Sequence, residues 1–195
     1  GERISEGAAQ VGVPEEAAAA VVLAETANMT GLRDEQLAIR FEPYAFYQRT
    51  GNWLVATHKD QAAEYQVFEQ ARSASPDAAH ESLRMGVAQL SGSEAVAAGF
   101  ESARQMFDAM GNSETAQIDG MFNLIANDRE LRGAMEQADW QRVAELRAGP
   151  GYGALGYDDA LAANADAYAR ALGRPAHGDD DDEDKPKRKR SRPRR

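Results

Sequence analysis

Apolar residues recur three and four positions apart along most of the chain, with short polar breaks between them. Pro14 stands where a first helical turn would begin, with Glu15 and Glu16 at the positive end of the helix dipole. The run AAAAVVLAETA continues that helix as far as Asn28 to Gly31. A loop, GLRDEQLAI, follows. The aromatic-rich stretch AIRFEPYAFYQ, broken by Pro43, reads as an irregular segment or a short strand. Helical spacing returns over Gln61–Ser73 and Pro76–Met85, and Gly86 opens a turn region, GVAQLSGS. Val96, Phe100, Phe107 and Met110 predict a helix over Ser93–Met110, stopped by Gly111-Asn112. Ser113 is a favourable N-cap for the next helix, where Ile118, Met121, Phe122 and Ile125 share one face. Asp128 caps a short helix with Leu131 and Met135, and Trp140, Val143 and Ala144 form the face of another. RAGPGYGALGY, with four glycines and a proline, is not helical. Asp158 caps a last helix through Leu161, Ala165, Tyr168 and Leu172. No repeat is visible, and the predicted fold is all-α.

Composition sharpens this picture. The length of 195 residues fits one domain, and 43% hydrophobic content supports a real core. The absence of cysteine excludes disulfides and thiolate metal sites. No apolar run approaches the roughly 18 residues that cross a bilayer. The chain starts at Gly1 with no secretory signal, which predicts a processed or trimmed chain. His58, His80 and His177 have no partners at metal-ligand spacing and are expected to be exposed, so neither a metal nor a cofactor is assigned.

The net charge is −10, unevenly placed. Residues 179–184 carry six acids, and 185–195 carry eight bases: Lys185, Lys187, Arg188, Lys189, Arg190, Arg192, Arg194 and Arg195. Together these segments sum to +2, leaving −12 on residues 1–178. Such a body repels nucleic acid, whereas the basic run could contact nucleic acid or another anion. Order is expected to end after Pro175, giving a helical domain over 1–175 and a disordered acidic-then-basic tail over 176–195.

The small and apolar run Ala17 to Ala24 leads directly into Glu25. That acid is either a solvated helix end or a group delivered to a cleft. Several motifs bear on the choice. They are Ala24-Glu25-Thr26, Phe41-Glu42-Pro43-Tyr44-Ala45-Phe46, and the stretch from Arg84-Met85-Gly86 through Gln89 to Gly92. Further on come Ser113-Glu114-x-x-Gln117-Ile118, Ala138-Asp139-Trp140, Gly149-Pro150-x-Tyr152 and Tyr157-Asp158-x-x-Leu161-Ala162. In this order the chain resembles the N-acetylmuramidase domain family of phage endolysins, which has a lysozyme-like helical fold, over roughly residues 15–172.

The resemblance implies a hydrolase of the β-1,4 bond between N-acetylmuramic acid and N-acetylglucosamine in bacterial peptidoglycan, with Glu25 as general acid. Such an acid must keep its proton until it donates it to the leaving oxygen, which burial beside apolar groups favours. Asp34, nine residues on, matches the Glu-x8-Asp pair of small phage lysozymes; a turn-forming role is its alternative. Glu42 would position the acid or orient a water, or else form a structural ion pair with Arg40 or Arg49. Gln89 would hydrogen-bond an N-acetyl sugar, or cap its own turn. Tyr44, Tyr47 and Tyr152 would stack on sugar faces or pack as core and rim.

Five positions, in three of the motifs, depart from the family pattern. Arg84-Met85 replaces Ser-Trp, Arg147-Ala148 replaces Tyr-Asn, and Tyr44 replaces a histidine. With the acidic body and basic tail, these motivate an alternative: a catalytically inactive virion or ejection protein whose tail contacts phage DNA or other virion proteins. A lytic transglycosylase, using one acid and no attacking water, is a third reading. The expected location is phage-encoded, either virion-associated or acting on the host cell wall.

Overall fold

The computed structural model describes residues 2–27, 36–149 and 151–175. Among them are ten α-helices and a small three-stranded sheet. Asp34, the loop around it and the tail from 176 onward, with all eight of its bases, lie outside the described residues.

Helix α1 (Glu2–Val11) was not legible from apolar spacing, because it buries only Gly7 and Ala8. It lies on α7 (Glu114–Asn127), where a Cβ on Gly7 would collide with the Phe122 ring. Arg3 clamps the pair through a bidentate bond to Asp119, 2.6 and 2.7 Å. Helix α2 (Glu15–Thr26) runs through the centre, with Ala17 to Val21 and Ala24 buried. Its small side chains let the last helix, α10 (Tyr157–Ala171), approach closely through Leu161, Ala165 and Ala169.

These two helices are antiparallel, and a Tyr–Glu bond pins each end. Tyr168 donates to Glu15 at 3.0 Å, and Tyr157 donates to Glu25 at 2.6 Å. Arg174 adds contacts to Glu15 and Glu16. Helix α10 starts after left-handed Gly156, so Asp158 sits in the first turn rather than at the cap.

The stretch read as irregular or a short strand is both strand and helix. Ile39–Phe41 forms β1, and Pro43 opens α3 (Pro43–Thr50), since proline is tolerated in a first turn. Helix α4 (Gln61–Ala74) serves β1 as a substitute neighbouring strand. The Gln61 amide pairs with both the N–H and C=O of Ile39 at 2.9 Å, and Glu64 accepts from the Phe41 N–H at 2.8 Å. Tyr65 donates to the Leu37 carbonyl. These bonds satisfy backbone groups that a sheet edge leaves open.

The helix expected over Pro76–Met85 ends early. Helix α5 (Pro76–Glu81) gives way to β2 (Leu83–Met85), which pairs with β1 and with β3 (Leu90–Ser91). The GVAQLSGS turn region is thus the bend and second arm of a hairpin. The helix expected over Ser93–Met110 is also divided. A 3₁₀ turn at Gly92–Glu94 leads to left-handed Gly99, and α6 (Ala103–Asn112) starts from the Ser102 cap. Val96 is 75% exposed and so is not on a core face. Ser113 and Asp128 cap α7 and α8 (Arg129–Glu136) as their types predict, and α9 (Trp140–Ala148) follows. Within RAGPGYGALGY, Tyr152–Leu155 is a short 3₁₀ turn.

Of the three histidines expected to be exposed, His58 is exposed, His80 is not, and His177 lies outside the described residues. His80 is buried edge-on to Phe68 and Phe107, with its Nδ1 2.6 Å from the Pro76 carbonyl oxygen. His58 Nδ1 lies 2.7 Å from the buried Glu64 carboxylate. No group of metal-ligating side chains occurs among the described residues.

Gly92 packs the β3 end against α5, and an added Cβ would run into the His80 carbonyl oxygen and the Glu81 backbone. Backbone cannot yield as a flexible side chain does. Gly92→Ala is therefore expected to cost about 2–3 kcal/mol, read as a lowered midpoint in urea unfolding.

Candidate active site

Glu25 stands at the C-terminal end of α2, partly exposed, directly after buried Ala24. Its Oε1 accepts the short hydrogen bond from the Tyr157 hydroxyl, at the start of α10. The αL turn at Gly156 lets the chain enter α10 with Tyr157 at the first helical position. Burial raises the Tyr157 phenol well above the usual tyrosine value. The charge of Glu25 and the hydrogen bond to it push the same way, while Arg147 and Arg84 oppose them. Tyr157 therefore stays a hydrogen-bond donor at every physiological pH.

The two opposing arginines stand where the chain departs from the family pattern, and they meet. Arg84 Nη1 lies 3.5 Å from the Gln89 carbonyl oxygen, and Arg147 Nη2 donates to the same oxygen at 3.3 Å. Arg147 comes from α9 with its side chain 4% exposed. It also donates to the Ala88 carbonyl at 2.9 Å and pairs with Glu94 at 3.5 Å, while its Nε has no partner among the described residues. Met85, at the expected Trp position, is fully buried.

Gln89 adopts a left-handed backbone, and its amide donates to the Gly86 carbonyl at 3.0 Å. That side chain braces the β-hairpin turn, the second of the two roles expected for it. Glu42, between β1 and α3, lies between two arginines, 3.6 Å from Arg40 and 3.5 Å from Arg84. Arg49, the other expected partner, pairs with Glu81 instead.

Tyr44 is 61% exposed on α3, two residues past Glu42. Tyr47 is also exposed and meets Trp53 edge-on. Tyr152 is partly buried against the core. Contacts thus join Glu25 to Tyr157 at one end of the α2–α10 pair, and join Arg84 to Glu42 and, through the Gln89 carbonyl, to Arg147, with both arginine charges acting on Tyr157. Tyr157 had no role in the sequence reading, although it begins a quoted motif. The two arginines were visible there as departures from the family pattern.

Burial pushes the Tyr65 phenol up to about 12, and it pushes Tyr157 further. A tyrosine in the unfolded chain ionises near 10. Their proton-holding contribution to stability is therefore complete below about pH 10 and is lost as pH rises through 12. Melting temperature is expected to fall over that window, and Tyr65→Phe to flatten the fall, as thermal melts from pH 8 to 12 would record.

A family model for N-acetylmuramidase matches residues 14–170. The crystal structure of Burkholderia AP3 phage endolysin matches at a TM-score of 0.73 and 26% identity, over 88% of this chain and 70% of that one. A comparison with curated proteins finds no match. Because the match runs from the first turn of α2 to the last turn of α10, enclosing both Glu25 and Tyr157, the chain belongs to the N-acetylmuramidase family.

Proposed function

We propose that the chain is a phage-encoded, lysozyme-like peptidoglycan hydrolase that cleaves the β-1,4 bond after N-acetylmuramic acid. The observation that carries this reading is the Tyr157–Glu25 bond at the end of the α2–α10 pair, within the family match. In the proposed reaction, Glu25 gives its proton to the glycosidic oxygen as the sugar C1–O bond breaks. Positive charge develops at C1, and water adds there, releasing its own proton.

Tyr157 is a positioning residue: its hydroxyl fixes the rotamer of the Glu25 carboxyl, so proton donation starts from a set geometry. Asp34 is proposed as the second carboxylate from its spacing alone, since it lies outside the described residues. Glu42 is proposed to balance the charge of Arg40 and Arg84, not to transfer a proton. Tyr44 offers an exposed ring face for stacking on a sugar.

The test is turbidity loss of purified peptidoglycan, with mass analysis of the products. New reducing ends on N-acetylmuramic acid support the reading. 1,6-Anhydro products would replace it with a transglycosylase, and an inert folded protein would point to a scaffold without activity.

A further inference from the structure

The outer face of the small sheet carries an uneven charge arrangement. Arg40 and Arg84 are direct cross-strand partners in the β1–β2 pairing. Their neighbours Ile39, Phe41, Leu83 and Met85 face the core, so both guanidinium groups share the other face. Like charges directly opposite on antiparallel strands oppose each other. One carboxylate, Glu42, serves both, at the long distances of 3.6 and 3.5 Å. In a body carrying −12, two cations on one acid are not a shortage of acids.

The two arginines differ in how far they are engaged. Arg147, the third guanidinium nearby, is spent on two carbonyls and Glu94. Arg84 has two contacts, both at 3.5 Å, one from Nη1 to the Gln89 carbonyl and one from Nε to Glu42. Its side chain is 27% exposed, enough to meet a ligand while remaining partly shielded from water. It shares the Gln89 carbonyl oxygen with Arg147, and the charges of both arginines act on Tyr157, the partner of Glu25.

We propose that Arg84, with Arg40 beside it, forms a subsite for a carboxylate carried by the glycan strand next to the bond that is cleaved. A guanidinium fork matches a carboxylate geometrically, with paired N–H donors on paired oxygens. On a wall glycan such carboxylates come from the stem peptides, or from the lactyl group where a peptide is missing. The subsite rests on the muramidase reading and makes that activity selective for acidic glycan over neutral glycan.

The experiment compares wild type with Arg84→Gln on three substrates, by kcat/KM from reducing ends. They are intact wall, wall stripped of stem peptides by an amidase, and wall with its carboxylates amidated by carbodiimide and glycinamide. Wild type is expected to favour intact over amidated wall by about tenfold, the worth of one charge-assisted hydrogen bond. Arg84→Gln is expected to bring that ratio near one, with the change in KM, and Arg84→Lys to keep part of it. Preference retained on stripped wall assigns the lactyl carboxylate; preference lost there assigns the stem peptide. An equal ratio in wild type and Arg84→Gln overturns the subsite. Arg40→Gln, at a more exposed position, reads the same ratio should Arg84→Gln fold poorly, and an unchanged ratio there overturns it too. If wild type cleaves none of the substrates, the muramidase reading fails by itself. Equilibrium binding to soluble carboxylated and amidated strands then decides the subsite separately.

Discussion

Glu25→Gln is expected to lower kcat on peptidoglycan by about 10³-fold, within the range that positioned proton transfer supplies. The amide has no acidic proton to give, yet keeps the size and the carbonyl oxygen of the acid. Tyr157 can still donate to that oxygen, so the bond at this end of the α2–α10 pair survives. Melting temperature is therefore expected to stay within a few degrees of wild type while lysis disappears. That split is the informative result. An active Glu25→Gln protein would sink the assignment of the acid, and a protein that no longer folds would show Glu25 to be structural. Tyr157→Phe is the companion: it leaves the acid in place but releases its rotamer, and kcat is expected to fall less than in Glu25→Gln.

Arg147→Ala is expected to have the largest effect on stability. The arginine is buried, and it holds the hairpin turn of the sheet to α9 through Ala88, Gln89 and Glu94. Truncation leaves the Ala88 carbonyl without its donor, the Gln89 carbonyl with only the 3.5 Å contact to Arg84, a carboxylate without its cation, and a void where the side chain lay. Breaking a buried charged contact costs about 3–5 kcal/mol, or roughly 10 °C in melting temperature for a domain of this size. Urea unfolding would measure it directly. Arg147→Lys keeps the charge but loses the planar fork that spans two carbonyls, so it should recover part of the loss. A wild-type midpoint in Arg147→Ala would mean that the turn is held by the Gln89 brace and the strand pairing alone.

Much of the fold was legible because helices announce themselves locally. Ile118, Met121, Phe122 and Ile125 mark a buried face, and Ser113 and Asp128 cap their helices as such residues do. The sheet was not legible, because strands of two or three residues give no period to read. Its β1 edge is completed by Gln61 and Glu64 of α4, a pairing between a helix and a strand that no local pattern announces. The helix expected over Ser93–Met110 failed at Gly99, where the backbone turns left-handed and Val96 is left outside the core.

The candidate site divides in the same way. Glu25 stood out because an apolar run ends in a carboxylate. Its partner Tyr157 is 132 residues away, beyond the reach of any window. Arg84 and Arg147 were each visible as departures from the family pattern. That they share one carbonyl oxygen emerges from packing alone.

The antiparallel clamp between α2 and α10 also has a consequence in time. A ribosome delivers α2 well before α10, and their pinning contacts span 132 and 153 residues. Such distant contacts form late, after nearly every other element is in place. Until α10 is made, Glu25 has no Tyr157 to hold it, and the alanine face of α2 lacks the helix that covers it most closely. Until α10 packs on it, that face is exposed apolar surface of the kind that makes incomplete chains prone to aggregate. Wall-cutting capacity would arrive with the last helix, in a single step on completion of the domain.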